Sequence, residues 1–240
     1  MRMAMLHFSV VAVLVTVILG DSTCIAQAPP TIQAELRKYG VPVTQLALQS
    51  ALKDNRPEIR GLAAAELAEM KDVTSVPLIV KALEAEKDQL VKFNMATALV
   101  SLNSPAGTKA LLHTCDDASV PAGRRLDAAS RLVDAGDLSC LPSVENILRK
   151  TTDPSNKVSA LLLLARVKVV PASLVPRIHD TLLASLQDPD SAVRGYTSQC
   201  IAALGDKAAA PSLKTAIANE SDESTRERME ESQKSLESRP

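Results

Sequence analysis

Residues 188–213 read DPDSAVRGYTSQCIAALGDKAAAPSL. Asp188-Pro189 opens the stretch like a helix start, because proline in a first turn gives up no hydrogen bond a helix would use. Apolar residues follow at helical spacing, Gly205 ends the run, and a second apolar segment begins around Pro211. Helix, turn and helix make a hairpin. The rest of the chain decides whether it stands alone.

It is one copy of several. With Arg194 as anchor, a basic residue followed seven positions later by an apolar one recurs as Arg60–Leu67, Lys92–Leu99, Arg125–Leu132, Lys157–Leu164 and Arg194–Ile201; Arg226 is followed by Gln233. Neighbouring anchors lie 32 to 37 residues apart. Six residues before them stand Asp54, Glu86, Ser119, Thr151, Asp188 and Glu220. All can accept a hydrogen bond from a helix N-terminus, and the Asp, Ser and Thr among them are expected to cap. Pro77, Pro142 and Pro211 stand seventeen residues after their anchors and Pro176 nineteen, while the second copy has Lys109 there and Pro105 earlier.

A period near 32 with two helices per unit marks a solenoid, in which one hairpin cannot bury its apolar side and stacked copies bury a continuous core. Composition agrees: 46% of residues are hydrophobic but 2% aromatic, with no Trp, so Ala, Leu and Val carry the apolar content, and Ala and Leu are strong helix formers. The expected fold is all-α, a right-handed α-solenoid of stacked helical hairpins. The pattern predicts an opening helical stretch over 31–53 broken at Gly40 and Pro42, then helix pairs at 57–70 and 74–86, 88–102 and 105–115, 119–135 and 138–150, 154–168 and 171–187, 189–204 and 207–219, and a last helix over 222–237.

The stretches DNRPEIRGLAAAEL and DPDSAVRGYTSQCIAALGDKAAAPSL resemble HEAT repeats, specifically the short HEAT-like class also found in phycobilin lyases. The resemblance spans 42–237, and its specific copies are the two outer ones. It implies that the anchor Asp and Arg of successive repeats form a ladder locking one repeat to the next, a structural role that would fall on Asp54, Arg60, Asp188 and Arg194. It also implies that the second helix of each pair lines the concave side. On those helices Ile79, Ala82 and Leu83, then Val144, Ile147 and Leu148, then Leu213, Ala216 and Ile217 should face the core. The positions between, Val80 and Lys81, Leu112 and His113, Glu145 and Asn146, His179 and Asp180, Lys214 and Thr215, should form an outward ribbon that could bind a partner.

The N-terminus reads MRMAMLHFSVVAVLVTVILGDSTCIAQA. A short positive end, an apolar run from Leu6 to Leu19 and small residues after it are the pattern of a secretory signal peptide. Cleavage after Ala26 avoids placing Pro29 just past the cut. The expected organisation is a signal peptide over 1–26, a helical lead-in over 27–41, and a solenoid over 42–237 with its last helix as cap. The mature chain would be exported, periplasmic or extracellular, without a stable membrane span. Cys115, Cys140 and Cys200 remain in it, too few and too far apart for a disulfide scaffold, and read as small buried hydrophobes.

No reaction is specified. Another HEAT-like family, deoxyhypusine hydroxylase, holds two irons with His-Glu pairs, but here His113 precedes Thr114 and His179 precedes Asp180. There is no Cys-x-x-Cys, no Gly-x-Ser-x-Gly and no phosphate-binding loop. Balanced charge, net −1, and scarce aromatics argue against nucleic acid. The expected function is a non-catalytic scaffold for a protein or peptide partner, with no cofactor, no metal and no catalytic residue. The alternative is a lyase-like enzyme or enzyme accessory whose site lies on positions the sequence does not link.

Overall fold

The computed structural model describes residues 31–239. The expected signal peptide lies outside them. Thirteen α-helices and two 3-10 turns, Val73–Ser75 and Lys207–Ala209, make up the described residues, with no strand among them. The helices pair into hairpins: α1 (Ile32–Lys38) with α2 (Gln45–Ala51), α3 (Pro57–Glu69) with α4 (Val76–Ala85), α5 (Gln89–Ser101) with α6 (Pro105–Asp116), α7 (Ala122–Asp134) with α8 (Leu141–Lys150), α9 (Pro154–Ala165) with α10 (Val175–Ser185), and α11 (Ser191–Leu204) with α12 (Ala210–Asn219). A single helix, α13 (Glu223–Ser238), follows. First helices stack on one another in the order α3, α5, α7, α9, α11, α13. This is an α-solenoid. Its core forms two groups of buried Leu, Ile, Val, Ala and Met that both draw on α5. Leu36 of α1 is fully buried in the first, so the stretch expected as a lead-in contributes core.

The turn inside a hairpin has one chemistry used five times. At the ends of α1, α3, α5, α7 and α11 a residue takes positive φ: Gly40 (76°), Lys71 (55°), Asn103 (56°), Gly136 (83°) and Gly205 (70°). The next amide then donates back to a carbonyl five residues earlier, as in Val41 to Leu36, Asp72 to Leu67, Ser104 to Leu99, Asp137 to Leu132 and Asp206 to Ile201. This is the Schellman closure, which satisfies carbonyls at a helix end. The α9–α10 hairpin lacks it. There Val167 donates to Leu164 and a longer loop, 166–174, joins the helices. That loop accounts for the 37-residue spacing between Lys157 and Arg194 and for α10 starting at Val175 rather than 171.

Two expectations are corrected. The acceptors six residues before the anchors are not the caps. The N-cap residues lie two positions later, at Arg56, Asp88, Pro121, Asp153, Asp190 and Asp222. Five of the earlier side chains instead accept from the amide of the capping residue, as Asp54 does from Arg56 at 2.9 Å and Asp188 from Asp190 at 3.0 Å; the exception is Ser119, whose capping residue Pro121 has no amide hydrogen. The second correction concerns cysteine. Cys115 on α6 and Cys140, the N-cap of α8, form a disulfide with a Cα–Cα distance of 6.2 Å, both fully buried. They are 25 residues apart in sequence but neighbours in space because α8 succeeds α6 in the stack. Among the described residues Cys200 alone is free, and it is buried.

Candidate functional site

The anchor residues meet the acids of the following repeat. Arg60 Nε and Nη2 donate to Glu86 Oε2 and Oε1 at 2.7 and 2.8 Å, and Nη1 donates to the carbonyls of Asp54 and Asn55. Arg194 repeats this with Glu220 at 2.6 and 2.7 Å and with the carbonyls of Asp188 and Pro189. Lys157 donates to Asp188 in the same way. The carboxylate of Asp54, a residue expected in the ladder, pairs with exposed Arg56, two residues on. Its carbonyl, not its carboxylate, reaches Arg60. Glu86 also accepts from the amides of Lys87 and Asp88. Arg60 above all holds the Glu86 carboxyl down at about 2, and Arg194 lowers Glu220 likewise.

The second helices carry the expected partner-binding residues, and the structure divides them. Lys81, His113, Asp180, Lys214 and Thr215 are exposed. Val80 and Leu112 are half-buried against the core and belong to it. Asn146 is half-buried. His179 is half-buried too, its Nδ1 2.7 Å from Asp206 Oδ2. Glu145 is overturned as an outward residue: it is 1% exposed. One helical step past a core position points sideways, and here sideways means the groove toward α10. Thr181 of α10 donates to Glu145 Oε1 at 2.8 Å, Arg177 of α10 donates to Oε2, and Arg149 Nε donates to Oε1 at 3.2 Å. Arg149 Nη2 also reaches Asn146 Oδ1 at 3.0 Å.

Both arginine side chains are 51% exposed, so one buried carboxylate aims two guanidiniums at solvent with an excess positive charge. A guanidinium fixed on one edge keeps its other N–H donors for a partner. The sequence contained half of this signal, since Glu145 and Arg149 stand one turn apart. Arg177 was hidden, because only the stack brings α10 beside α8.

Two cavities lie beside these helices. One of about 540 Å³ sits between α2 and α4 and includes Leu52, Lys53, Leu78, Lys81 and Lys87. Another of about 390 Å³ is lined by Val169, Val175, His179 and Asp206, among others. For nucleophilic chemistry the free thiol is poorly placed, since burial pushes Cys200 up to about 12. Among the described residues no group of three or more His, Cys, Asp or Glu could hold a metal ion, and no helix is long and apolar enough to cross a membrane.

Stacked helical hairpins closed by repeated turns and joined by inter-repeat ion pairs define an α-solenoid repeat protein. Residues 44–132 and 141–233 match the family model of HEAT repeats, and the chain belongs to that family. Among solved structures it is similar to an engineered protein at 20% identity, covering 80% of this chain and 95% of that one with a TM-score of 0.49. It is similar to the complex of CpcE and CpcF of phycocyanin lyase from Nostoc sp. PCC7120 at 20% identity, covering 68% and 99% with a TM-score of 0.48. Human deoxyhypusine hydroxylase in complex with glycerol is matched at 17% identity over 85% and 88%, with a TM-score of 0.32. No curated protein sequence matches.

Proposed function

We propose that this chain is an exported, non-catalytic HEAT-repeat scaffold that binds a protein or peptide partner on the face of its second helices. The observation that carries this reading is the Glu145 node. A carboxylate buried to 1% exposure is costly unless paired, and here it orients Arg149 and Arg177 outward on the face the repeats leave open. Arginine is among the residues that dominate binding energy at interfaces. The Cys115–Cys140 disulfide supports the export half of the reading, since such bonds persist in oxidising compartments.

The test is affinity capture from envelope extract with the wild type and with an E145Q/R177A variant, which leaves no buried charge unpaired. The same partner should be retained by the wild type and lost from the variant, with equal melting curves. Capture that survives E145Q/R177A unchanged assigns the face wrongly. N-terminal sequencing of envelope material should begin near Gln27, and Met1 retained on a cytoplasmic species would overturn export.

One feature favours an enzyme accessory as the second reading: the His179–Asp206 pair borders a cavity of about 390 Å³. Metal and pigment analysis of the purified protein decides it. A stoichiometric chromophore or metal would replace the scaffold reading.

A further inference from the structure

The cavity of about 540 Å³ lies in the groove between α2 and α4, the second helices of the first two hairpins. Its volume falls in the range of about 300–1,000 Å³ typical of ligand-enclosing sites. Leu52, Leu78 and Ala82 give it an apolar lining, and Leu78 is 38% exposed. Its other charges divide into two kinds. Arg60 and Glu86 neutralise each other, and Asp54 is engaged by Arg56. Lys53, Lys81 and Lys87 are exposed and have no ion-pair partner among the described residues. The cavity therefore combines an apolar floor with three uncompensated ammonium groups.

The molecule contains its own control. Arg194, Glu220 and Asp188 reproduce the geometry of Arg60, Glu86 and Asp54 between α10 and α12. At the same offsets from Arg194, the three lysines become Gln187, Thr215 and Ser221, and Leu78 becomes Ser212. The ion pair recurs because the stack requires it. The lysines and the exposed leucine do not recur, so the architecture does not require them.

We infer that this pocket receives an acidic peptide segment, one apolar side chain entering against Leu52 and Leu78 while flanking carboxylates meet Lys53, Lys81 and Lys87. The inference rests on the scaffold reading and names the chemistry of the partner. Charge complementarity of this kind sets partner choice and association rate more than raw affinity. Nucleic acid fits less well, because no aromatic ring lines the pocket to stack on a base.

The full chain is tested against a bead-displayed library of random dodecapeptides, with heparin as a separate polyanion probe. Enriched peptides should carry Asp or Glu on both sides of a Leu, Ile, Val or Phe. Anisotropy with the most enriched peptide should show at least a tenfold loss for K53E/K81E/K87E and a several-fold loss for L78S. Affinity should fall with added salt, and be unchanged for K234E, an exposed lysine on α13 outside the second-helix face. The lysines are exposed, so the melting curve of the triple variant should match the wild type. Enrichment without acidic residues, or full affinity in the triple variant, overturns the inference. So does heparin binding that needs the same lysines while no acidic peptide is enriched. If peptides bind but respond to E145Q/R177A and not to the lysines, the pocket assignment falls and the scaffold reading stands. If nothing is enriched, the inference falls and the scaffold reading rests on the affinity capture alone.

Discussion

Arg60 does two jobs with one side chain. Its guanidinium closes the loop that carries it, through the Asp54 and Asn55 carbonyls, and it grips a carboxylate of the next repeat. Glu86 is 6% exposed, so Arg60→Ala leaves a buried charge without its partner. That change should cost about 3 kcal/mol, the scale for breaking a buried pair. R60M/E86Q removes both charges and should cost less than R60A, which urea unfolding measures directly. Acid supplies a second readout. Glu86 is held at about 2 against an ordinary 4.5, a depressed folded value. Its contribution is therefore complete above about 4.5 and is lost as pH falls from there through about 2. Unfolding midpoints should decline over that window, and by less in R60M/E86Q. A decline of equal size in both proteins would place acid sensitivity elsewhere.

Between elements, contact distance and covalent linkage set the tolerances. Gly107 lies where α6 crosses α5, and a Cβ there would stand 2.6 Å from both Leu99 Cβ and the Val100 amide nitrogen. Neither can swing aside without moving the helix. Gly107→Ala should thus destabilise by about 1–3 kcal/mol, as overpacking does. Gly123→Ala on α7 is the comparison, since its Cβ would meet only Asn156 Oδ1 at 3.4 Å. It should be neutral or slightly stabilising, because alanine is the better helix former. Calorimetry of the two variants tests the contrast. The Cys115–Cys140 bond ties α6 to the start of α8 across 25 residues. In the chain-entropy picture a loop of that size contributes about 3 kcal/mol, so reduction should lower the melting temperature. Alkylation of the native, unreduced protein should leave Cys115, Cys140 and Cys200 unmodified, because the first two are bonded and Cys200 is buried with a thiol pushed up to about 12. Rapid modification of two thiols would show the bond is not formed.

At the scale of the molecule, α13 differs from the helices before it. α13 buries Thr225, Met229, Ser232 and Leu236 along one stripe against the preceding hairpin, and its outer positions are charged or small. Arg228 lies 5.1 Å over the Tyr196 ring, close above Gly195. Terminal repeats need such a polar outer face for solubility. Deleting 221–240 should uncover α11 and α12, lower the melting temperature and promote aggregation, seen by light scattering. Unchanged melting would make α13 dispensable. The second-helix face follows a different rule. Its charges are not needed for stacking at Lys81, Lys214 or Asp180, so they can vary from copy to copy, and the α2–α4 groove differs from the α10–α12 groove for that reason.

Periodicity alone determined the helices, their pairing and the core stripe, because burial at every third or fourth residue is a local constraint that each hairpin must meet. The anchor arginines were legible for the same reason, as was the buried stripe of α13, where Met229 and Leu236 hold the period among charges. What the sequence could not determine lies between repeats. Glu145 reads as exposed on its own helix, and only the approach of α10 buries it under Arg177 and Thr181. Cys115 and Cys140 read as separate hydrophobes until α6 and α8 become neighbours. Glu86 and Glu220 read only as acceptors for a helix N-terminus until the preceding repeat delivers an arginine to each. A periodic pattern specifies which face a residue occupies. Which neighbour fills the space beside that face depends on the rotation and offset between successive hairpins, and those are settled only when the hairpins pack.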